Sequence, residues 1–321
     1  MIYKFEGIFT EYIEGFIEQK HALGYLYRES ERILFTFQQF CKKHFPDEAE
    51  LTQEMASQWT ERRASENNLY RLNRVSVVRE FARYLNSIGV AAYLIPIELT
   101  RKTQRHVPHI YTMDELSALF RSMDATEYNP RTPAMHLIVP VIYRLIYCCG
   151  LRPIEARRLL VKDVDLNTGA VKILESKGHK DRLIMLSDDV LELCRKYNQR
   201  VELIYPERQH FFHSHRKDGM FSEPWITKTF KKYLVAIGLE ECAGSNPRLY
   251  DLRHTFATHR LYQWMCEGAD VNACLPYLSE YMGHKLISDT AYYIHLVPEF
   301  FPKMAEMQLD SYVALIPEVT P

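Results

Sequence analysis

The sequence has little of what would place it in a membrane, a secretory route or a metal-binding class. No apolar run in its 321 residues is long enough to span a bilayer. The opening Met1-Ile2-Tyr3-Lys4-Phe5-Glu6 has no signal-peptide pattern. Cysteine is sparse and unpatterned, with seven residues, an odd number, and no Cys-x-x-Cys. That disfavours a disulfide framework or a cysteine-based zinc site and implies reduced thiols in a cytoplasm. An excess of charge is also missing. Lys and Arg number 40 against 41 Asp and Glu, for a net charge of -1 and a pI near 6.9. Such a balance runs against nucleic-acid binding. The charge is uneven, however, because residues 101–200 hold 17 Lys and Arg against 12 Asp and Glu. A local basic patch suffices when acidic residues occupy other faces.

What is present is the composition of an ordinary globular protein, 47% hydrophobic and 25% charged, at a length that suits two domains. Residues 1–100 read as helical throughout. Phe5, Ile8, Phe9, Tyr12, Ile13, Phe16 and Ile17 recur at helical spacing, and Gly24 interrupts the pattern before a second amphipathic run over 30–45. Pro46-Asp47 ends that run. A third helix, opened by Thr52, covers 51–63, and a fourth covers 69–88 until Gly89 stops it. The fourth carries Arg71, Arg74, Arg79 and Arg83 beside its apolar side chains. Residues 101–109 lack helical periodicity, contain Arg101, Lys102 and Arg105, and read as a basic linker.

The second half, 110–321, opens with a capping box, Thr112 with Glu115. A long apolar helix over 136–149, with Cys148 and Cys149 as core residues, leads into Gly150-Leu151-Arg152-Pro153-Ile154-Glu155, where Pro153 suits a first helical position. Residues 161–165, 170–174 and 182–186 then read as a three-stranded antiparallel meander, with turns at Asn167-Thr168-Gly169 and Ser176-Lys177-Gly178-His179-Lys180-Asp181. His213 and His215 have no third ligand in their pattern and make no zinc site. Tyr250-Asp251-Leu252-Arg253-His254 puts Tyr250 and Arg253 at i and i+3 of a helix. Tyr281-Met282-Gly283-His284 follows, and then Ser288-Asp289-Thr290 leads to Tyr292 and Tyr293. Two arginines, a histidine and a tyrosine point to attack on a phosphodiester by a tyrosine hydroxyl. Guanidinium forks match the non-bridging oxygens bidentately and stay protonated, and tyrosine is a competent covalent nucleophile.

In this order the motifs resemble the tyrosine recombinases, also called the phage-integrase family. Gly150 to Glu155, Lys177, Arg253-His254, Gly283-His284 and Tyr293 match that family's boxes over nearly the whole chain. The resemblance implies a mainly α fold with a small antiparallel β-sheet, a helical core-binding domain over 1–100 and a catalytic domain over 110–321. It implies Tyr293 as nucleophile, nine residues beyond His284, with Tyr292 packing beside it. Arg152, Arg253 and His284 would stabilise the transition state, and Lys177, first lysine of its turn, would protonate the leaving 5′ oxygen. Glu155 would orient basic groups. DNA contacts would come from Arg71, Arg74, Arg101, Lys102 and Arg105, and no cofactor is needed.

One position departs from the pattern. Tyr250 stands where the family usually has histidine and sometimes lysine, and a phenol donates a hydrogen bond but does not readily shuttle a proton as imidazole does. His254 is expected to be structural. The apolar tail over 298–321 would dock on a neighbouring protomer, giving a homo-tetramer on two double-stranded DNA recombination sites, with room for helper recombinases or directionality proteins and no membrane. No arm-binding segment precedes the helical bundle, which favours a simple or mobile-element recombinase. The rivals are an accessory DNA-binding member impaired in cleavage, supported by Tyr250 alone, and a type IB topoisomerase-like enzyme.

Overall fold

The computed structural model describes residues 3–100, 107–174, 181–215, 218–240 and 247–297. It divides into two compact units, Met1–His106 and Val107–Pro321. Among the described residues no helix is long and apolar enough to cross a membrane.

The described residues of unit 1 form four α-helices, α1 (Thr10–Ala22), α2 (Arg28–His44), α3 (Gln53–Thr60) and α4 (Asn68–Ser87), and a 3-10 turn, Ile97–Thr100. Each of the first three packs on α4, whose Val75, Val78, Phe81, Ala82 and Leu85 are buried. Thr52 caps α3 by accepting from the Met55 backbone, and Asn67 caps α4 by accepting from Leu69. The first helix begins at Thr10 rather than near Phe5. Phe5 and Phe9 are still buried in the core, but they enter it from a non-helical approach, so their spacing reported burial and not helix.

Arg74 requires a correction. It is 1% exposed, it pairs with Glu66, and its remaining donors meet the carbonyls of Trp59 and Glu61. Its guanidinium is consumed inside unit 1 and cannot serve as a phosphate contact. Arg79 is similarly turned inward onto the Ile95 carbonyl. Arg71 is only partly covered, bonding Asn68 and the Thr60 carbonyl.

Unit 2 is built on α6 (Met135–Cys148), whose residues from Ile138 to Tyr147 are all buried. Around it pack α5 (Met113–Asp124), α7 (Pro153–Arg158), α8 (Asp188–Glu202) and α10 (Asp251–Cys266). Between α8 and α10 the chain forms α9 (Glu223–Ala236), and beyond α10 it forms α11 (Val271–Met282), α12 (Ile287–Ala291) and a short 3-10 turn, Tyr292–Leu296. Thr112 and Glu115 form the expected capping box at α5.

The sheet is smaller than expected. Strands β1 (Ala170–Ile173) and β2 (Arg182–Met185) pair antiparallel, with Ala170 opposite Met185 and Ile173 opposite Arg182. The segment read as a first strand coils into a 3-10 turn over Val161–Asp163, leaving one bridge from Val164 to Val171. Alternation along β2 turns Arg182 and Ile184 inward while Leu183 and Met185 face out. That register delivers an arginine to the interior.

Candidate active site

The site starts where α6 ends. Gly150 has φ +56, and a Cβ there would lie 2.4 Å from Cδ1 of Phe256 on α10. Both the left-handed backbone and the close approach require glycine. The chain then turns so that Arg152 takes the N-cap position of α7, Pro153 the first helical position and Glu155 the third.

Glu155 is the hub. Its Oε2 accepts the Arg152 backbone N–H at 2.8 Å, and its Oε1 accepts Arg152 Nη1 at 2.7 Å. Arg182, from β2, donates to both oxygens at 3.0 and 2.8 Å. Burial opposes the carboxylate charge, but the bonds and field of Arg182, with the Arg152 backbone bond and Arg253, overcome it and hold Glu155 at about 2.

A second anchor is the C-terminus of α11. A helix leaves its last carbonyls without intrahelical partners and carries partial negative charge there. Three successive carbonyls each receive one arginine: Tyr281 from Arg182 Nε at 2.7 Å, Met282 from Arg253 Nη2 at 2.6 Å, and Gly283 from Arg152 Nη2 at 2.7 Å. Gly283 closes the helix in the left-handed conformation, φ 66 and ψ 47. Arg253 also donates to the Gly150 carbonyl. It is 0% exposed, burial lowers it to about 10, and its buried Nε has no hydrogen-bond partner among the described residues.

His284 follows directly. Its Nδ1 lies 2.7 Å from the Thr290 hydroxyl. Burial first, then Arg253, Arg152, Arg182 and His254, push it down to about 3. The imidazole is therefore neutral at pH 7, and in the tautomer whose Nδ1 accepts from Thr290 its Nε2–H is a donor.

Tyr293, in the 3-10 turn, is 3% exposed. Burial raises its hydroxyl well above the ordinary phenol, while Arg253 and Arg152 pull the other way. Its ring stacks 6.1 Å from that of His284, and Tyr292 meets it edge-on at 6.0 Å. Its hydroxyl is 3.1 Å from His254 Nδ1. Tyr250, at the start of α10, is 41% exposed and lies against His254, ring centroids 5.3 Å apart.

Arg152, Arg253, His284 and Tyr293 thus converge in unit 2, with Tyr250 at the rim. Lys177, Arg101, Lys102, Arg105 and the tail over 298–321 lie outside the described residues. Two residues gained importance from the fold. Arg182 is visible in sequence as the arginine that ends the lysine turn resembling the family's, and only the fold brings it to Glu155. His254, read as structural, brings its imidazole to the Tyr293 hydroxyl, a contact that sequence spacing does not report.

Comparison with known proteins gives the same direction. The family profile described as "Phage integrase family" matches residues 111–299, more than half of the chain. A Sinorhizobium fredii protein, provisionally named integrase/recombinase y4rE, is 30% identical over 298 residues, covering 90% of this chain and 92% of its own. The tyrosine recombinase XerD of Staphylococcus epidermidis is 31% identical over 242 residues, 72% of each chain. In fold the chain is similar to the XerH site-specific recombinase bound to palindromic difH substrate, with TM-score 0.60, 19% identity, and 87% of this chain and 78% of that one covered. The motif order, the converging arginines, histidine and tyrosine, and these matches lead to one assignment: the chain belongs to the phage integrase family, the tyrosine recombinases, whose enzyme class is site-specific recombination.

Proposed function

We propose that this enzyme cleaves and rejoins DNA at specific sites through a 3′-phosphotyrosine intermediate and a Holliday junction, in the service of a mobile element. The observation that carries this reading is the convergence of Arg152, Arg253, His284 and Tyr293 around Glu155 and the end of α11. Tyr293 Oη attacks the scissile phosphorus and the 5′ oxygen departs. Negative charge gathers on the non-bridging oxygens, where fixed donors that need no reorganisation are most effective. Arg253 Nε, Arg152 and the neutral His284 Nε2–H are such donors. Lys177, on its match to the family's hairpin lysine, protonates the departing oxygen. Tyr250 adds a phenolic hydrogen bond at the rim.

Unit 1 is the core-binding domain in this reading, with Arg71 and the linker residues Arg101, Lys102 and Arg105 contacting phosphates. Phosphate contacts of this kind add affinity without specifying sequence. The full-length Sinorhizobium relative named for integration and the fold shared with the Tn1549 transposon integrase support the mobile-element role. A tetramer on paired sites, with the tail over 298–321 bridging protomers, completes the proposal.

The test is recovery of SDS-resistant protein–DNA adducts from cells expressing the protein, beside Tyr292→Phe and Tyr293→Phe. Adducts lost in Tyr293→Phe alone are expected, and sequencing the attached DNA identifies the site. Adducts that survive in Tyr293→Phe, or are absent in wild type with its native element present, overturn the reading. Relaxation of supercoils without any sequence requirement would favour the topoisomerase-like alternative.

A further inference from the structure

A tyrosine that attacks phosphorus must lose its proton, and burial makes the Tyr293 hydroxyl harder to ionise than a free phenol. The acceptor has to touch that oxygen. Arg152 and Arg253 are permanent cations and accept no proton. His284 stacks on the Tyr293 ring, but its Nδ1 is engaged by Thr290. Tyr250 brings a second phenol, which is a poor proton acceptor at neutral pH. Among the described residues one imidazole nitrogen is in place, His254 Nδ1, 3.1 Å from Tyr293 Oη.

We infer that His254 is the general base for Tyr293, taking the catalytic place that the phenol of Tyr250 cannot fill. This rests on the recombinase reading above. The helix explains how the substitution is compensated. Tyr250 and His254 stand four residues apart, on one face of α10, with rings 5.3 Å apart. Arg253, one step round the helix, is turned beneath them into the site. An imidazole one turn further along the same face therefore still reaches the nucleophile.

The proton balance closes in both directions. With its proton on Nε2, His254 accepts from Tyr293 O–H at Nδ1. The proton moves as the Oη–P bond forms and the P–O5′ bond breaks, and the departing oxygen takes a separate proton from Lys177. In rejoining, the 5′-hydroxyl attacks and gives its proton back to Lys177, the Oη–P bond breaks, and His254 returns its own proton to Oη. Tyr250, besides its hydrogen bond at the rim, packs on the ring of His254 and helps to position it.

The experiment uses DNA recovered from wild-type adducts, rebuilt as a nicked duplex so that cleavage cannot reverse. Single-turnover cleavage is measured for wild type, His254→Ala and His254→Gln, from about pH 6 to about pH 9, with and without added imidazole. His254→Ala is expected to slow cleavage by ~100-fold or more. Imidazole should restore about tenfold of this, and the deficit should shrink as pH rises. His254→Gln can hold the hydroxyl but cannot take its proton, so it should remain slow with or without imidazole. The inference falls if His254→Gln cleaves within about threefold of wild type, or if the His254→Ala deficit responds to neither imidazole nor pH. Absence of any wild-type adduct would instead sink the recombinase reading, and this inference with it.

Discussion

Unit 1 buries Arg74 against Glu66, eight residues away, whereas unit 2 buries Glu155 against Arg152, three away, and Arg182, 27 away. Both are buried arginine–glutamate pairs, and both carboxylates are held below the ordinary range. Their connections differ. Every partner of Arg74 belongs to the stretch from Trp59 to Glu66, so the network is a local staple closed upon itself. The Glu155 network joins α7, β2, α10 and α11, and its arginines end beside His284 and Tyr293. A buried ion pair is weak evidence for net stability, because desolvation offsets much of the attraction. What separates a structural pair from a candidate active-site pair here is where the remaining donors lead.

The largest test of this contrast removes each hub in turn. Glu155→Gln and Glu66→Gln should each destabilise their own unit by ~3–5 kcal/mol, because a buried guanidinium loses its counter-charge. Glu155→Gln should also slow strand cleavage per folded molecule by ~100-fold, since Arg152 and Arg182 lose their common anchor. Glu66→Gln should leave that rate at saturating DNA near wild type. Hydrogen exchange localises the stability loss, and single-turnover cleavage separates the chemistry. Equal cleavage defects in the two variants would erase the distinction.

Acid should divide the units next. His259 is pushed by burial to about 4, His284 to about 3, and His136, His210 and His213 are also lowered, all in unit 2. A depressed histidine contributes stability that is complete above its unfolded value near 6.5 and is lost as pH falls towards its folded value. His259 alone, fully buried, corresponds to on the order of 3 kcal/mol. Glu155 adds a second loss as pH falls from about 4.5 towards 2. Unit 2 should therefore open first between about pH 6 and about pH 4, read by the pH dependence of exchange protection in each unit. Earlier loss in unit 1 would contradict the assignment.

Gly150→Ala should cost ~2–3 kcal/mol in unit 2, from the left-handed backbone and the Phe256 contact together. Chemical denaturation measures it, and a change below about 0.5 kcal/mol would mean that Phe256 gives way. Arg71→Ala should have the smallest effect, weakening DNA binding while reducing the salt slope by about one. Its stability should change by less than about 1 kcal/mol. Arg74→Ala, by contrast, should destabilise unit 1. If Arg74→Ala changes the salt slope instead, the closed-staple account is wrong.

These two arginines also show how far the sequence can be read. Arg71 and Arg74 sit at i and i+3 on α4 and look alike from spacing alone. Only Glu66, folded back from before the helix, separates the buried one from its partly covered neighbour. Arg182 is a similar case. Alternation along β2 places it inward beside Ile184, but a buried arginine runs against the usual preference until Glu155 is brought to meet it. The first strand of the meander failed for the opposite reason. Its residues suit a strand, yet the 3-10 turn over Val161–Asp163 leaves only Val164 to pair.

The sequence by itself determined the helix starts at Thr52 and Thr112, the glycine that precedes Leu151-Arg152, and the order of arginine, arginine, histidine and tyrosine. These features act within one or two turns of chain, where spacing and side-chain chemistry suffice. Tertiary structure alone decided that three arginines share the last carbonyls of α11. It also decided that His254, and not the residue at position 250, touches a hydroxyl 39 residues further on. That contact depends on how α10 packs against the segment carrying Tyr293, and the positions of two packed surfaces are not encoded in the spacing along either one.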